Sequence, residues 1–467
     1  MMQLYKGKYV FKYDGDNSSV LLNILTLETL RISTKLSAQW DACLFQNIDQ
    51  SIISFLEERM FLFRSPDARK KFESRALQIL SSPSNAQPNY QIHLTTACDI
   101  ACPFCYDAYE REAKAKKMSV TQLEKALSAI DHHQSTQVDS NEGSTLITLM
   151  GGEPLLVANK NTVEHLFKTA RRKNYKISII TNARNFHYYE RTIIDFEDVI
   201  ASFGLTLFGG KSTHDLQRAT KKGEGTYDQT VGLIKSVLTK TRNPRISIRV
   251  LLAKSSFSSL DELFSDLKRN NLFNNNRVDL MFGRIQFRTP FDNGYKKEEI
   301  DAKDYYPLLI RYFHKHRDSI PIDMLRGSEY RIFGNFLRMW LGKSTEIGNC
   351  SGCDALTPGS YSFHPDGMIY PCTDIAGIRG FETGHYMEGL IISTFSNSWI
   401  GKYDIQKTIC HDCRFVPLCN GGCPLSNFTH QGDVNRTRCL DMEKSLVKFF
   451  DSLELTGLLN YLPELRG

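Results

Sequence analysis

CDIACPFC, residues 98–105, sets three cysteines at a C-x3-C-x2-C spacing directly after the strand-like run YQIHLTT. Three thiolates so spaced on one loop can bind three irons of a [4Fe-4S] cluster and leave the fourth iron open to an outside ligand. Short C-x2-C pairs also serve zinc sites completed by a distant cysteine or histidine, so the triplet alone leaves both chemistries open. Its surroundings decide the fold. Downstream, the strand-like runs STLITLMGGEP, YKISIITNA, IASFGLTLFGG, RISIRVLLA and VDLMFGRI alternate with helical patterns. Those patterns are SVTQLEKALSAIDHH, NTVEHLFKTARRK, a helix around FEDVI, TYDQTVGLIKSVL and SLDELFSDLKRN. Strands alternating with helices of this length predict right-handed crossovers and a parallel sheet, closed or partly closed into an α/β barrel. In such folds chemistry gathers at the carboxyl ends of the strands. HLTTAC, LMGGEP, IITNA and LTLFGG place their polar and glycine residues there.

The rest of the composition bounds the class. At 467 residues the chain exceeds what one core usually organises, which predicts two or three domains. A hydrophobic content of 41% with 24% charged residues excludes global disorder. No uninterrupted apolar run approaches the roughly 20 residues of a bilayer crossing. The N-terminus, MMQLYKGKYVFKYDGD, lacks a secretory pattern, and the expectation is a cytoplasmic chain with no membrane association. A net charge of +6 is modest and dispersed, with KAKK and RRK reading as solvated helix ends, so nucleic acid is not an expected partner. Twelve cysteines in a reduced compartment read as ligands and not as disulfides. Cys43 stands apart on a helical pattern and reads as a small buried apolar residue.

CDIACPFC followed by MGGEP resembles the radical S-adenosylmethionine superfamily in order, spacing and position. The resemblance covers residues 89–290 and implies a partial (β/α)6 barrel. It further implies that Cys98, Cys102 and Cys105 each bind one iron while the amine and carboxylate of S-adenosylmethionine chelate the fourth. Reductive cleavage of the sulfonium then yields a 5'-deoxyadenosyl radical. Gly151 and Gly152 let the backbone approach the methionyl amine, and Glu153 can accept hydrogen bonds from that ammonium. Thr181 and Asn182 end the third strand as polar positions facing the cofactor, although such residues also serve as simple turn formers. In TLFGGKSTHDLQR, Thr206 stands where relatives carry a serine toward the ribose, and Arg218 is either the residue that meets the methionine carboxylate or a surface arginine of a helix. Phe208 departs from the aspartate of the family pattern.

The C-terminal cysteines extend the resemblance. C-x2-C-x5-C-x3-C at 410–423, with Cys353, Cys372 and Cys439, is similar to the SPASM extension of radical enzymes that modify peptides and proteins, and Cys350 adds an eighth thiol. The family pattern implies one auxiliary [4Fe-4S] cluster on Cys350, Cys353, Cys372 and Cys423, and a second on Cys410, Cys413, Cys419 and Cys439. A pair of zinc ribbons satisfies the same ligand count. Asp374, two residues after Cys372, is a candidate catalytic carboxylate that accepts a proton when a carbon radical is oxidised, or the cap of a turn.

Residues 1–80 carry strand-like KYVFKY and TLETLRIS around the turn-forming DGDNSS, followed by helical spacing in SAQWDACLFQNIDQSIISFLEERMF. This resembles a winged-helix-like leader-binding module of enzymes that mature ribosomally made peptides, in which a leader strand pairs with an exposed hairpin edge. SSPSNAQP reads as a linker, residues 291–349 as a helical bridge, and 350–467 as the extension. The chain is accordingly expected to be an oxidoreductase. It would take hydrogen from a precursor peptide bound through its leader, install a thioether, carbon–carbon or ether crosslink, and draw electrons from an external donor such as flavodoxin or ferredoxin. A sulfatase-type maturase forming formylglycine is the alternative enzyme, and a non-catalytic iron-sulfur or zinc peptide-binding protein the alternative of another class.

Overall fold

Residues 245–252, RISIRVLL, show how the sheet is made. Ile246, Ile248, Val250 and Leu252 are fully buried, while Arg245, Ser247, Arg249 and Leu251 point the other way and keep solvent contact. A strand alternates its faces with period two, so the isoleucine face packs on helices and the other lines the interior of a curved sheet. The computed structural model describes residues 3–16, 18–81, 88–107, 115–136, 144–273, 275–287, 294–316, 325–328, 353–356, 359–392, 399–419 and 421–465.

In the N-terminal unit, β1 (Tyr5–Lys6) pairs with β5 (Leu62–Phe63), and β2 (Val10–Asp14), β3 (Ser19–Asn23) and β4 (Thr29–Ile32) form an antiparallel meander. Two strands were expected here and three are present. β3 lacks the alternation that marks a strand because it is central: Leu21 faces one hydrophobic core, and Val20 and Leu22 face the other. Helices Thr34–Asp41, Gln50–Glu58 and Pro66–Ser81 complete the unit. Cys43 is exposed in a left-handed turn (φ 55°) beyond the first helix, not buried on it. The linker residues 82–87 lie outside the described residues.

The core is a parallel run in the order expected from the alternation: β6 (Tyr90–His93), β7 (Leu146–Met150), β8 (Lys176–Ile180), β9 (Ile200–Leu207), β10 (Arg245–Leu252) and β11 (Val278–Arg284). Local signals set the crossover helices. Ser119 and Gln122 form a reciprocal capping box at the start of Val120–Ser135. Lys160–Lys173 ends on Asn174 in the left-handed conformation after the basic turn Arg171, Arg172 and Lys173. Two findings differ from expectation. The helix near FEDVI lies earlier, at Glu190–Asp195. A seventh parallel strand, β12 (Leu325–Ser328), pairs with β11 inside the segment read as a helical bridge; Ala302–Lys315 in that segment is helical, and 317–324 and 329–349 lie outside the described residues.

The barrel does not close on β6. Its other edge pairs in parallel with β13 (Tyr361–Phe363), from which β14 (Met368–Tyr370), β15 (Gly384–His385) and β16 (Ile391–Ile392) continue antiparallel, giving one eleven-stranded sheet. The C-terminal helix Met442–Leu455 returns to the N-terminal unit, where Phe450 stacks on Tyr13 at 5.3 Å and the Tyr13 hydroxyl bonds to Asp451 and Glu454. β17 (Glu464–Leu465) then adds in parallel to β4.

Candidate active site at the carboxyl edge of the sheet

The strand ends of β6, β7 and β8 bring three of the sequence motifs together. Gly151 and Gly152 take φ of 84° and 39°, conformations that glycine adopts without a Cβ penalty. They lie against the entry to the cysteine loop: a Cβ on Gly152 would stand 2.2 Å from the Ala97 carbonyl oxygen, and one on Gly151 would stand 2.9 Å from the His93 Cβ. The Glu153 N–H donates to the same Ala97 carbonyl at 2.8 Å. Burial holds the His93 imidazole neutral, its pKa lowered to about 3, so no extra cation sits beneath the glycine pair.

The Glu153 carboxylate, 1% exposed, accepts from the Thr181 hydroxyl (2.6 Å), the Asn182 N–H (2.6 Å) and the Leu155 N–H (2.8 Å). Thr181 and Asn182 therefore meet Glu153 directly, fastening the end of β8 to the glycine turn. Burial raises the Glu153 pKa to about 7, more than the three donors lower it. Between the ordinary glutamate value of 4.5 and that of the folded state, the native chain binds the extra proton. The associated stability is complete below pH 4.5 and is lost as pH rises through about 7. Across pH 5 to 8, the metal-free wild type is expected to lose on the order of 2 kcal/mol relative to Glu153→Gln, measured by urea denaturation. Parallel pH profiles for the two proteins would contradict that assignment.

The next strand end departs from the family pattern in an informative way. Phe208, fully buried, stacks on Phe104 of the cysteine loop at 4.8 Å and 15°, and Tyr295 lies 5.9 Å from Phe104. An apolar wall stands where the family aspartate would be. Thr206 lies on the interior face of β9, paired in register with Arg249. His214 is buried, with Nδ1 accepting the Phe208 N–H (3.2 Å). Nε2 therefore carries the proton and donates to Thr226 Oγ1 (3.2 Å), which donates to the Arg218 carbonyl (2.7 Å). This relay fixes the backbone of Arg218, whose side chain is 8% exposed and whose Nε is buried with no hydrogen-bond partner among the described residues.

The extension gathers its thiols into two groups. Burial pushes the Cys419 thiol up to about 12, and Cys410, Cys413 and Cys439 add to that rise as its electrostatic neighbours. Cys372 is raised well above its ordinary range by burial, with Asp374, Cys353 and Cys423 adding to it. Cys350 lies outside the described residues. Among the described residues no group of three or more His, Cys, Asp and Glu side chains is packed as a single-ion site. Cys410 is buried and Cys439 exposed.

Two residues of the site escaped the sequence reading. Tyr106, directly after Cys105, is 38% exposed and has Asp107, the Cys105 thiol, Asp374 and Arg249 as its electrostatic neighbours. It stands where the cysteine loop, the extension and the barrel interior meet. Arg249 is exposed on the interior face of β10, whereas Arg245 on the same face pairs with Asp279 at 2.8 Å. The available signal was an arginine in the middle of an apolar strand.

A family profile described as a 4Fe-4S single cluster domain matches residues 91–232. An uncharacterized protein of Archaeoglobus fulgidus is 23% identical over 395 residues, 79% of this chain and 83% of that protein. Among solved structures, native anSMEcpe with bound AdoMet superposes with a TM-score of 0.58 at 18% identity, covering 80% of this chain and 98% of that one. Streptococcus suis SuiB bound to precursor peptide SuiA superposes with a TM-score of 0.56 at 14% identity, covering 93% and 99%. The chain thus shares the fold of these structures, a partial parallel barrel followed by a C-terminal domain. No helix among the described residues is long and apolar enough to cross a membrane.

Proposed function

We propose that the chain is a radical S-adenosylmethionine peptide maturase that installs a crosslink in a ribosomally made precursor. The observation that supports it best is the seating of the Gly151–Glu153 turn on Ala97, the residue before Cys98. That contact supports reading Glu153 as an amine-binding carboxylate near three thiols able to leave one iron open. The residues present fit the implied groups: thiols suited to iron, a buried Glu153 carboxylate for an ammonium, and the Nε of buried Arg218, without a hydrogen-bond partner among the described residues, for a carboxylate. When bound at Cys98, Cys102 and Cys105, the cluster and S-adenosylmethionine supply a deoxyadenosyl radical that takes hydrogen from the peptide.

The chain's own side chains do the rest. Gly151, Gly152 and Glu153 receive the methionyl ammonium, Arg218 the methionyl carboxylate, and Thr206 the ribose, while the Phe104–Phe208 wall excludes water from the apolar side. Asp374, beside Tyr106, accepts the proton released as the peptide radical is oxidised. The thiols of the extension would hold the auxiliary clusters, which would supply an electron acceptor there, and exposed Cys439 would lie on the side open to an external redox partner such as flavodoxin or ferredoxin. The leader is assigned to the outer edge of β2, because β17 occupies the edge of β4. That AdoMet and a precursor peptide are bound in the structural neighbours supports both ligands here.

Anaerobic reconstitution tests the class: three clusters imply about twelve irons per chain, whereas a zinc protein shows none. Mass spectrometry of a co-expressed precursor tests the reaction, since a crosslink removes two hydrogens while formylglycine formation from cysteine also removes sulfur. Arg249, open to the barrel interior, is assigned to a carbonyl or carboxylate of the peptide segment entering the barrel. Arg249→Ala is expected to raise KM for the precursor about tenfold, the value of one charged hydrogen bond, with kcat little changed. Steady-state kinetics with an unchanged KM would remove Arg249 from the peptide site.

A further inference from the structure

The residue after the first cysteine, Asp99, has a role that the family resemblance does not assign. Its carboxylate accepts three N–H donors from a single segment: Asn182 Nδ2 at 2.8 Å, Asn185 Nδ2 at 2.8 Å and Arg184 Nη1 at 3.1 Å. Arg184 continues through Nη2 to Glu224 at 3.2 Å. The segment around Glu224 returns to the cysteine loop through an Ile100–Thr220 bridge and the Ala101 N–H to the Ala219 carbonyl at 2.9 Å. Asp99 thus ties the loop to the end of β8, and the backbone after it ties the loop to residues 219–224.

The Asn182 amide is oriented without ambiguity. Its Oδ1 accepts the Arg184 N–H at 2.9 Å, so Nδ2 must face Asp99. Held this way, Nδ2 also points at Cys98 Sγ, 3.7 Å away, while the Asn182 backbone N–H goes to Glu153. One residue joins the first thiol, the Asp99 anchor and the carboxylate of the glycine turn.

We propose that Asp99 and Asn182 are positioning residues that set how readily the cluster on the first cysteine loop accepts an electron: Asp99 turns the Asn182 amide so that it donates to the Cys98 sulfur. This rests on the assignment of Cys98, Cys102 and Cys105 as cluster ligands. An N–H donor draws charge from a ligating thiolate and favours the reduced, more negative cluster, and such outer partners tune iron-sulfur potentials. The Asp99 charge, which acts in the opposite sense, is compensated by Arg184.

The test is an EPR-monitored redox titration of the full chain, following the reduced-cluster signal that changes when S-adenosylmethionine is added, which singles out the open-site cluster from the auxiliary ones. Asn182→Ala is expected to move its midpoint to more negative potential. Asn185→Ala, which removes one Asp99 bond but not the donor to sulfur, is expected to leave the midpoint in place. A wild-type midpoint in Asn182→Ala at full iron content overturns the inference. Should Asn182→Ala lose iron, Asn182→Leu, of similar volume and without a donor, carries the same expectation, and loss of iron from both overturns the electronic role. A wild-type chain with no S-adenosylmethionine-sensitive signal instead overturns the ligand assignment itself.

Discussion

Gly152→Ala is expected to lower stability by on the order of 3 kcal/mol and to abolish S-adenosylmethionine cleavage, a larger effect than any surface substitution produces. Two costs add at this position. The residue sits at φ 39°, where a side chain costs about 1–3 kcal/mol. The new Cβ would also stand 2.2 Å from the Ala97 carbonyl oxygen and 2.8 Å from the Ala97 and Thr96 carbonyl carbons, so main chain must move. Overpacking of that kind typically costs about 1–3 kcal/mol more. The moving main chain is the lead-in to Cys98, so strain at the glycine turn reaches the thiol loop. Urea denaturation measures the first effect and release of 5'-deoxyadenosine the second. A variant with a wild-type midpoint and turnover would mean that the turn does not press on the loop as described.

Removing the three thiols tests the chemistry. A chain with Cys98→Ala, Cys102→Ala and Cys105→Ala is expected to lose about four of about twelve irons and to release no 5'-deoxyadenosine, while retaining its fold and its affinity for the leader. The loop cysteines lie between intermediate exposure and burial at the rim of the barrel, and none is part of the main hydrophobic core. Iron analysis and circular dichroism read the outcome. Unchanged iron would place every cluster in the extension and leave the N-terminal loop without a metal role.

Much of the site was legible because its residues are unusual for their positions. Three cysteines in eight residues and a Gly-Gly-Glu at a strand end have little structural reason to occur together, and the structure puts them in contact through Ala97. The cysteines of the extension stood out by their spacing, and in the structure Cys410, Cys413 and Cys439 are electrostatic neighbours of Cys419. What escaped is what spacing does not encode. Asp99 is one more acid in a loop until residues 182–185 fold over it, and Arg249 is one more arginine until β9 and β11 flank its strand. β3 and β12 were missed because a doubly buried central strand and a four-residue strand lack the period-two signal. Phe208 was visible as a departure, but its stacking on Phe104 was not.

The pairing of β13 with β6 bears on how this protein can move. Tyr361, Ser362 and Phe363 are hydrogen-bonded in register beside Tyr90, Gln91 and Ile92, a few residues upstream of Cys98. The extension is therefore joined edge to edge with the strand that leads into the first cysteine loop, and among the described residues the two share one sheet along that seam. Any route by which charge travels from the barrel mouth to the outer thiols has a length set by a shared backbone ladder. A substrate entering the barrel would be admitted by shifts of peripheral segments, because swinging the whole extension aside would tear the sheet.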